Sequence, residues 1–444
     1  MTHSDEDLTA YRQDLSGRGV RLLCGTIVDM AGVARAKYAP TARLAAFHRV
    51  GMGASPSWSV FCVDDAIAFT AELGVVGDLR IRIDPAGLRV VDDGIAWAPG
   101  DLHLQDGGAS PMCARSRLAD VVADAEREGL TARVGGELEF TLLAEDGGHA
   151  SVGAWSPYGL RTSLERSSFL VDLTDAAERA GLALEQVHME YGHDQVEVSL
   201  SPTDPVAAAD DVVLARAVIG RVAARHAMRV SFSPVPFAGE AGNGAHLHLS
   251  LATDDGPAFS GGTGPHGLTE TGGAAIAGIL DALPGLLGVY AGSALSSLRL
   301  VPGNWAGAWS CWGLENREAA VRLVAGGPAS AHGANIELKV VDPSANPYLA
   351  VAAMLGSALD GVRRRLPLPD EVPVNPAQTD LDLPALPLDQ AAAIDALERS
   401  TLAAAVLGTG IVGGVAAVRR HEVTTYGGRT ALETTEALRQ AWSC

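Results

Sequence analysis

The chain is short of cysteine and of positive charge, and it has no long uninterrupted apolar run. Five cysteines, Cys24, Cys62, Cys113, Cys311 and Cys444, are scattered over 444 residues. No pair has zinc or redox spacing, and an odd number argues against a disulfide framework. A reducing, cytoplasmic setting is the expectation. Lysine and arginine number 33 against 53 aspartates and glutamates, a net charge of −20. That balance disfavours nucleic acid and anionic membrane as partners. The N-terminal Met-Thr-His-Ser-Asp-Glu-Asp is acidic and carries no apolar segment of signal-peptide type. The most apolar stretches, such as 347–361, are interrupted before membrane-spanning length. Repeats and low-complexity tracts are missing too. What remains is a globular composition, 47% hydrophobic and 19% charged, with enough core for two domains.

Helices and strands alternate irregularly, which predicts an α+β fold. Strand-like 20–30 and 33–38 flank Ala31-Gly32 and predict a hairpin. Alternating Leu79-Arg80-Ile81-Arg82-Ile83 and strands at 89–91 and 94–97 finish a small β-rich unit. We place a boundary there, giving an N-terminal domain 1–103 and a larger domain 104–444. In the larger domain, periodicity predicts helices at 113–129, 174–181, 205–229, 267–283, 284–296 and 347–364. Residues 299–316 read as irregular, and the Pro- and Asp-rich 366–387 as an excursion or lid. The tail 388–444 reads as helical with a Gly-rich break at 408–414.

Gly135-Gly136-Glu137-Leu138-Glu139-Phe140 is the most informative stretch. In a strand, residues two apart share a face. Leu138 and Phe140 then enter a core while two carboxylates stand together opposite. An ordinary half-exposed strand has the same pattern, but other segments repeat it. Glu197 lies on the polar side of Gln195-Val196-Glu197-Val198, and Glu190 precedes it across a turn-like stretch. His246, His248 and Ser250 share one face of their strand, and Glu337 and Lys339 share one of theirs. If these strands line one cavity, five carboxylates meet at least one imidazole. Such an oxygen-rich set selects Mg²⁺ or Mn²⁺ over zinc and calls for about two or three divalent ions. That load resembles sites where metals clamp phosphates during phosphoryl transfer. Arg299, Arg317 and Arg322 follow in segments rich in Gly, Trp and Ala, and arginine is the natural clamp for carboxylate and phosphate.

The ordered motifs Gly-Glu-Leu-Glu-Phe, Glu190 with Gln-Val-Glu, Gly-Asn-Gly-Ala-His-Leu-His, Arg-Leu-Val-Pro-Gly, Glu-Asn-Arg-Glu-Ala-Ala-Val-Arg and Ile-Glu-Leu-Lys…Asp-Pro-Ser-Ala-Asn-Pro-Tyr-Leu resemble the glutamine synthetase family over essentially the whole chain. The resemblance implies a β-grasp N-terminal domain and a catalytic domain of antiparallel strands with helices. It implies a homododecamer of two hexameric rings with active sites between neighbouring subunits. It also implies that ATP phosphorylates the γ-carboxyl of glutamate, after which an amine displaces phosphate. By motif position, Glu139, Glu190 and Glu197 would hold one metal, and Glu137, His246 and Glu337 the other. Arg317 and Arg322 would stabilise the transferring phosphate. Arg299 would bind the α-carboxylate of glutamate or the acyl phosphate. His248 and Ser250 would lie beside ATP, with Asn335 near the nucleotide. Gly242 and Gly244 would shape the glutamate loop, with Lys339 at the substrate.

The departures from the family pattern concern the nucleophile. The family has Arg where Lys339 and Asn335 stand, and Asn where Ala241 falls. Ammonia-using members carry Glu where this chain has Trp305, and Asp where Ala54 falls. Trp305, Trp309 and Trp312 put three of the seven tryptophans within one short segment. These can be packing anchors. Alternatively, Trp305 forms an apolar wall of the amine pocket, with Ala54 leaving room for a carbon substituent. The pattern points to the γ-glutamyl-amine ligase branch, with a small or moderately apolar primary amine as nucleophile. Missing carboxylates argue against long polycations such as spermine, although Asp64 and Asp65 could supply some charge. A true glutamine synthetase using ammonia and a non-catalytic member of the fold are the rival readings. The filled set of metal-ligand positions weakens the second of these.

Overall fold

A hairpin opens the chain. β1 (Leu22–Val28) pairs antiparallel with β2 (Ala34–Pro40), from Leu22 opposite Pro40 to Val28 opposite Ala34. The computed structural model describes residues 3–92, 94–151, 153–327, 333–378 and 381–443. The turn needs its glycine: Gly32 has φ +85°, and a Cβ there would lie 3.0 Å from the Ala345 carbonyl oxygen. Buried Asp29 closes the turn from inside, accepting bonds from the Ala31 and Val33 N–H groups at 2.9 Å and from Arg35 at 2.8 Å. Three distant segments grip the same turn. Asn346 donates to the Val28 and Asp29 carbonyls, Arg216 to that of Gly32, and the Trp442 indole to that of Ala31.

β3 (Met52–Ala54), β4 (Leu79–Ile83), β5 (Arg89–Asp92) and β6 (Ile95–His103) complete the first sheet, in the order β2-β1-β6-β4-β3 with β5 on β6. β1 and β6 run parallel and the other pairs antiparallel. This fits the expected β-grasp arrangement. Leu23, Phe47 and Ile81 form a small core of this unit, while Met30 and Trp97 join the main core of the molecule.

The second sheet holds β7 (Thr131–Leu143), β8 (Leu184–Met189), β9 (Gln195–Thr203), β10 (Arg229–Ser231), β11 (Leu247–Thr253), β12 (Gly256–Pro257), β13 (Trp309–Leu314), β14 (Ala319–Val324) and β15 (Asn335–Leu338). Its order is β13-β14-β15-β11-β7-β9-β8, with β10 on β7 and β12 on β11. Only β13 and β14 are parallel among the described pairs. Sheets and long helices together make an α+β fold, as the sequence predicts. Helix Pro205–Arg225 starts cleanly, with Pro205 at its first turn and the Asp204 side chain capping the Val206 and Ala207 N–H groups. It packs under β7, where glycine is required for closeness: a Cβ on Gly136 would meet Val212 at 3.1 Å.

Three expectations need correction. Helices 267–283 and 284–296 are predicted to part at Pro284, but a single helix, Glu270–Tyr290, runs through it. A mid-helix proline costs about 3 kcal/mol through its lost N–H and ring clash. Burial outweighs that here. The helix lies against Pro347–Arg364 so closely that a Cβ on Gly278 would sit 2.6 Å from Gly361 Cα. The same helix has the length and apolarity of a membrane span, yet 83% of its apolar window is buried inside the protein. The second correction concerns 366–387. Its first part is pinned along β13 and is no lid. The Val372 N–H donates to the Trp312 carbonyl and the Trp312 indole to that of Pro369, both at 2.9 Å. Asn316 holds the Val372 carbonyl at 2.7 Å. Residues 299–316, expected to be irregular, supply β13 itself. The break predicted in the tail falls at Gly408, where two helices meet at 111°.

Candidate active site

β7 carries Glu137 and Glu139, with Leu138 and Phe140 fully buried on its other side. Sheet register brings the remaining side chains to the same face. Glu139 lies opposite Glu197 on β9, and Glu197 opposite His188 on β8. On the other flank, His248 of β11 lies opposite Glu337 of β15, and Glu337 opposite Arg322 of β14. Six strands thus line up one row of charge, because each alternates polar and apolar residues in step with its neighbours.

The row divides into two groups. In the first, His246 Nδ1 is 3.2 Å from Glu137 and 3.4 Å from Glu337, and His248 Nε2 is 3.2 Å from Glu137. Glu337 is met by Lys339 at 3.0 Å and by Arg322 at 3.2 Å. Asn335 Oδ1 meets His248 Nδ1 at 2.9 Å. In the second, His188 Nε2 is 3.4 Å from Glu190 and 3.6 Å from Glu197, and the Tyr158 hydroxyl donates to Glu190 at 2.7 Å. Glu139 sits between the groups, accepting from the Gly244 N–H at 2.7 Å and from Gln195 at 2.9 Å. Gln195 also donates to the Gly242 carbonyl at 2.8 Å. Gly244 has no room for a side chain, since a Cβ would collide with the His246 ring and lie 2.9 Å from Arg299 Nη2.

The charges are finely opposed. Burial would raise Glu137, but the hydrogen bonds and charges of His246 and His248 hold it well below the usual carboxylate range. Burial likewise works against Glu337, yet Lys339, His246 and His248 bring it down to about 2. Burial disfavours charge on His248, but bonding to Glu137 and the charge of Glu337 lift it to about 9. Glu197 goes the other way: burial, then the charges of Glu137, Glu139, Glu190 and Glu337, push it up to about 10. A carboxyl forced to keep its proton among four carboxylates marks a place that lacks positive charge.

The donor set fits divalent cations. Ligand atoms of Glu137, His248 and Glu337, and those of His188, Glu190 and Glu197, lie within 4.8 Å of one another in each group. Mixed carboxylate and imidazole donors are of the kind that hold a divalent metal. A cation at the second group has to displace the Glu197 proton. Below a pKa of about 10, Mn²⁺ affinity is therefore expected to rise with pH and binding to release a proton. Calorimetry in buffers of different ionisation enthalpy measures that release. Affinity independent of pH between about 6 and 8 would contradict it.

The structure brings together nearly all of the predicted metal-site residues. Glu137, His246 and Glu337 touch as a set, and Glu190 and Glu197 meet through His188. Arg299 is buried beneath the first group, donating to the Val340 and Lys339 carbonyls at 3.1 Å and meeting His246 at 3.0 Å. Burial lowers its pKa. Ser250 follows His248 on the same face of β11. Arg317 is exposed in the turn before β14 and forms no ion pair with the cluster. Trp305 is 58% exposed, whereas Ala54 is 3% exposed inside the N-terminal core. His188 and Tyr158 are absent from the sequence-based set. Alternation offers a signal for His188, which shares its side of the chain with Glu190 two residues on. Nothing in an irregular segment marks Tyr158, which lies 32 residues before its partner.

Residues 111–438 match the family described as the glutamine synthetase catalytic domain. The chain belongs to the glutamine synthetase family. It is 43% identical over 383 residues to the gamma-glutamylpolyamine synthetase GlnA3 of Streptomyces coelicolor, covering 84% of this chain and 82% of that one. It is 32% identical over 337 residues to the glutamine synthetase of Clostridium saccharobutylicum, covering 73% of this chain and 75% of the relative. Among solved structures, a novel glutamine synthase homolog superposes with TM-score 0.87 at 32% identity, over 95% of this chain and 99% of that one. A GmaS/ADP complex superposes with TM-score 0.84 at 26% identity, over 96% and 98%. As a ligase of the glutamine synthetase family, the chain carries its charged row on the sheet of the catalytic domain.

Proposed function

We propose that this ligase phosphorylates the γ-carboxyl of glutamate with ATP and transfers the γ-glutamyl group to a primary amine other than ammonia. The observation that carries the reading is Trp305, two residues past Gly303 of the Arg-Leu-Val-Pro-Gly motif, where the family resemblance implies a carboxylate in ammonia-using members. An indole ring there has no carboxylate charge to pair with ammonium and no base to take its proton. The name of the Streptomyces relative, a gamma-glutamylpolyamine synthetase, supports amine ligation as the class.

Bound Mg²⁺ or Mn²⁺, two or three per site, would neutralise the phosphate oxygens of ATP. Glu137, His246 and Glu337 would hold one ion, and Glu139, Glu190 and Glu197 another, with His188 and His248 alongside. A γ-carboxylate oxygen of glutamate attacks the terminal phosphorus and ADP departs. Arg317 and Arg322 meet the charge that develops in that step. Arg299, with donors left over from its three contacts, binds the α-carboxylate or the acyl phosphate. Gly242 and Gly244 let the loop close on glutamate, and Lys339 holds its side chain against Glu337. His248, Ser250 and Asn335 flank the nucleotide. The amine nitrogen then attacks the acyl carbon, phosphate leaves, and the amine loses a proton.

We assign the amine to the small or moderately apolar class, such as an alkylamine, ethanolamine or an arylamine. Asp64 and Asp65, the acidic residues available to a polycation, are engaged by His421 and Arg35. The test measures phosphate release from ATP and glutamate with each amine, and product mass. Such amines are expected to exceed both ammonia and spermine, and Trp305→Glu to move preference toward ammonia. Glutamine formation as efficient as any other amide would favour the ammonia reading, which the glutamine synthetases among the relatives support. Preference for spermine would favour the polyamine reading. We also propose the two-ring dodecamer for this chain, which mass photometry tests directly.

A further inference from the structure

The loop from Arg299 to Gly307 starts and ends on the charged row. Arg299 is bonded to His246, and Gly307 lies so near Lys339 that a Cβ would sit 2.9 Å from that residue's Cβ. Between these ends the backbone is strained. Gly303 has φ +92° and Gly307 φ +77°, and Trp305, a bulky residue, is held at φ +54°. The Glu318 carboxylate is placed to hold that shape. It is 5% exposed and lies one residue past Arg317. Its Oε1 accepts the Trp305 N–H at 2.9 Å and its Oε2 the Gly303 N–H at 3.3 Å. Asn316 secures the same turn, accepting the Glu318 N–H at 3.1 Å while donating to the Val372 and Val374 carbonyls.

We propose that Glu318 is a positioning residue that latches this loop and fixes the Trp305 ring as a wall of the amine pocket. The proposal rests on the γ-glutamyl transfer reading above. A carboxylate suits the task because the Gly303 and Trp305 N–H donors converge on its two oxygens. With the latch broken, Trp305 is free to leave its left-handed conformation and the loop to open. Water then attacks the acyl phosphate and returns glutamate and phosphate, so that ATP is spent without an amide.

The experiment compares wild type, Glu318→Ala and Glu318→Gln, reading phosphate released per amide formed and the KM of each substrate. In Glu318→Ala the phosphate-to-amide ratio is expected to rise several-fold and the amine KM about tenfold. The KM values for ATP and glutamate should stay within about twofold. Glu318→Gln keeps one acceptor for Trp305 and is expected to recover part of the coupling. A ratio that stays at the wild-type value while all rates fall together would overturn the latch. Hydrogen exchange at Gly303 and Trp305 supplies a readout independent of substrate. Wild-type enzyme that makes no amide with any amine refutes the transfer reading, whereas unchanged exchange in Glu318→Ala refutes the latch.

Discussion

Glu337→Ala is expected to abolish turnover and weaken Mn²⁺ binding by at least about 10²-fold. Glu337 is 1% exposed and lies within 3.4 Å of Lys339, Arg322 and His246. Removing it does more than delete one ligand. Lys339, 3% exposed, loses the one ion-pair partner it has among the described residues, and the cationic side chains that faced Glu337 now face one another. Any arriving cation meets that repulsion. Breaking a buried pair in this way also costs roughly 3–5 kcal/mol of stability. Thermal unfolding should register the loss, and Mn²⁺ titration should be run where the variant remains folded. Glu337→Gln preserves volume and separates lost charge from a lost side chain. Glu137→Ala should resemble Glu337→Ala in binding, with a smaller stability loss, because its carboxyl is less buried (side-chain exposures of 22% and 2%). Unchanged turnover in either purified variant would sink the assignment of the site.

Arg317→Ala should lower kcat by about 10²-fold or more while leaving ATP binding largely intact. Arg317 is exposed and forms no ion pair with the carboxylates, so the fold has little to lose by its removal. The charge it would meet develops mainly as the phosphoryl group transfers. Arg322 is bound to both Glu337 and Glu315, so Arg322→Ala should disturb the row as well as the rate. A purified Arg317→Ala variant with only KM altered would make this residue a substrate-binding group instead.

The charged face was legible because a strand writes its two faces into alternate letters. Glu137, Glu139, Glu197 and Glu337 each sit between buried apolar neighbours, and in-register pairing does the rest. His188 follows the same rule, but a lone histidine two residues from Glu190 carries no mark that sets it apart from a surface residue. Tyr158 could not be found that way, since an irregular segment carries no period. Pro284 misled because local rules count the lost N–H and ignore the glycine contact between helices that outweighs it. Residues 366–378 look like a lid by composition, and only long-range bonds to β13 show them to be a strap. Ala54 shows a different limit. Its place in the family pattern sets it beside the substrate, while within a single chain its side chain fills the N-terminal core.

The hairpin turn at Ala31 and Gly32 ties chain order to folding order. It needs Arg216, Asn346 and Trp442, whose bonds to it span 184, 317 or 318, and 411 residues. A fragment that stops before Trp442 can form β1 and β2 but leaves the Ala31 carbonyl without its indole donor. Closures this long in sequence come late and slowly, because the entropy of the intervening loop must be lost before the contact forms. The N-terminal hairpin is thus among the first segments to take shape locally and among the last to be finished. A nascent chain carries it half-sealed, with Met30 and Ala31 exposed to whatever else is present. Circular permutation that joins Trp442 closer to Ala31 should quicken this step without altering a single contact of the finished enzyme.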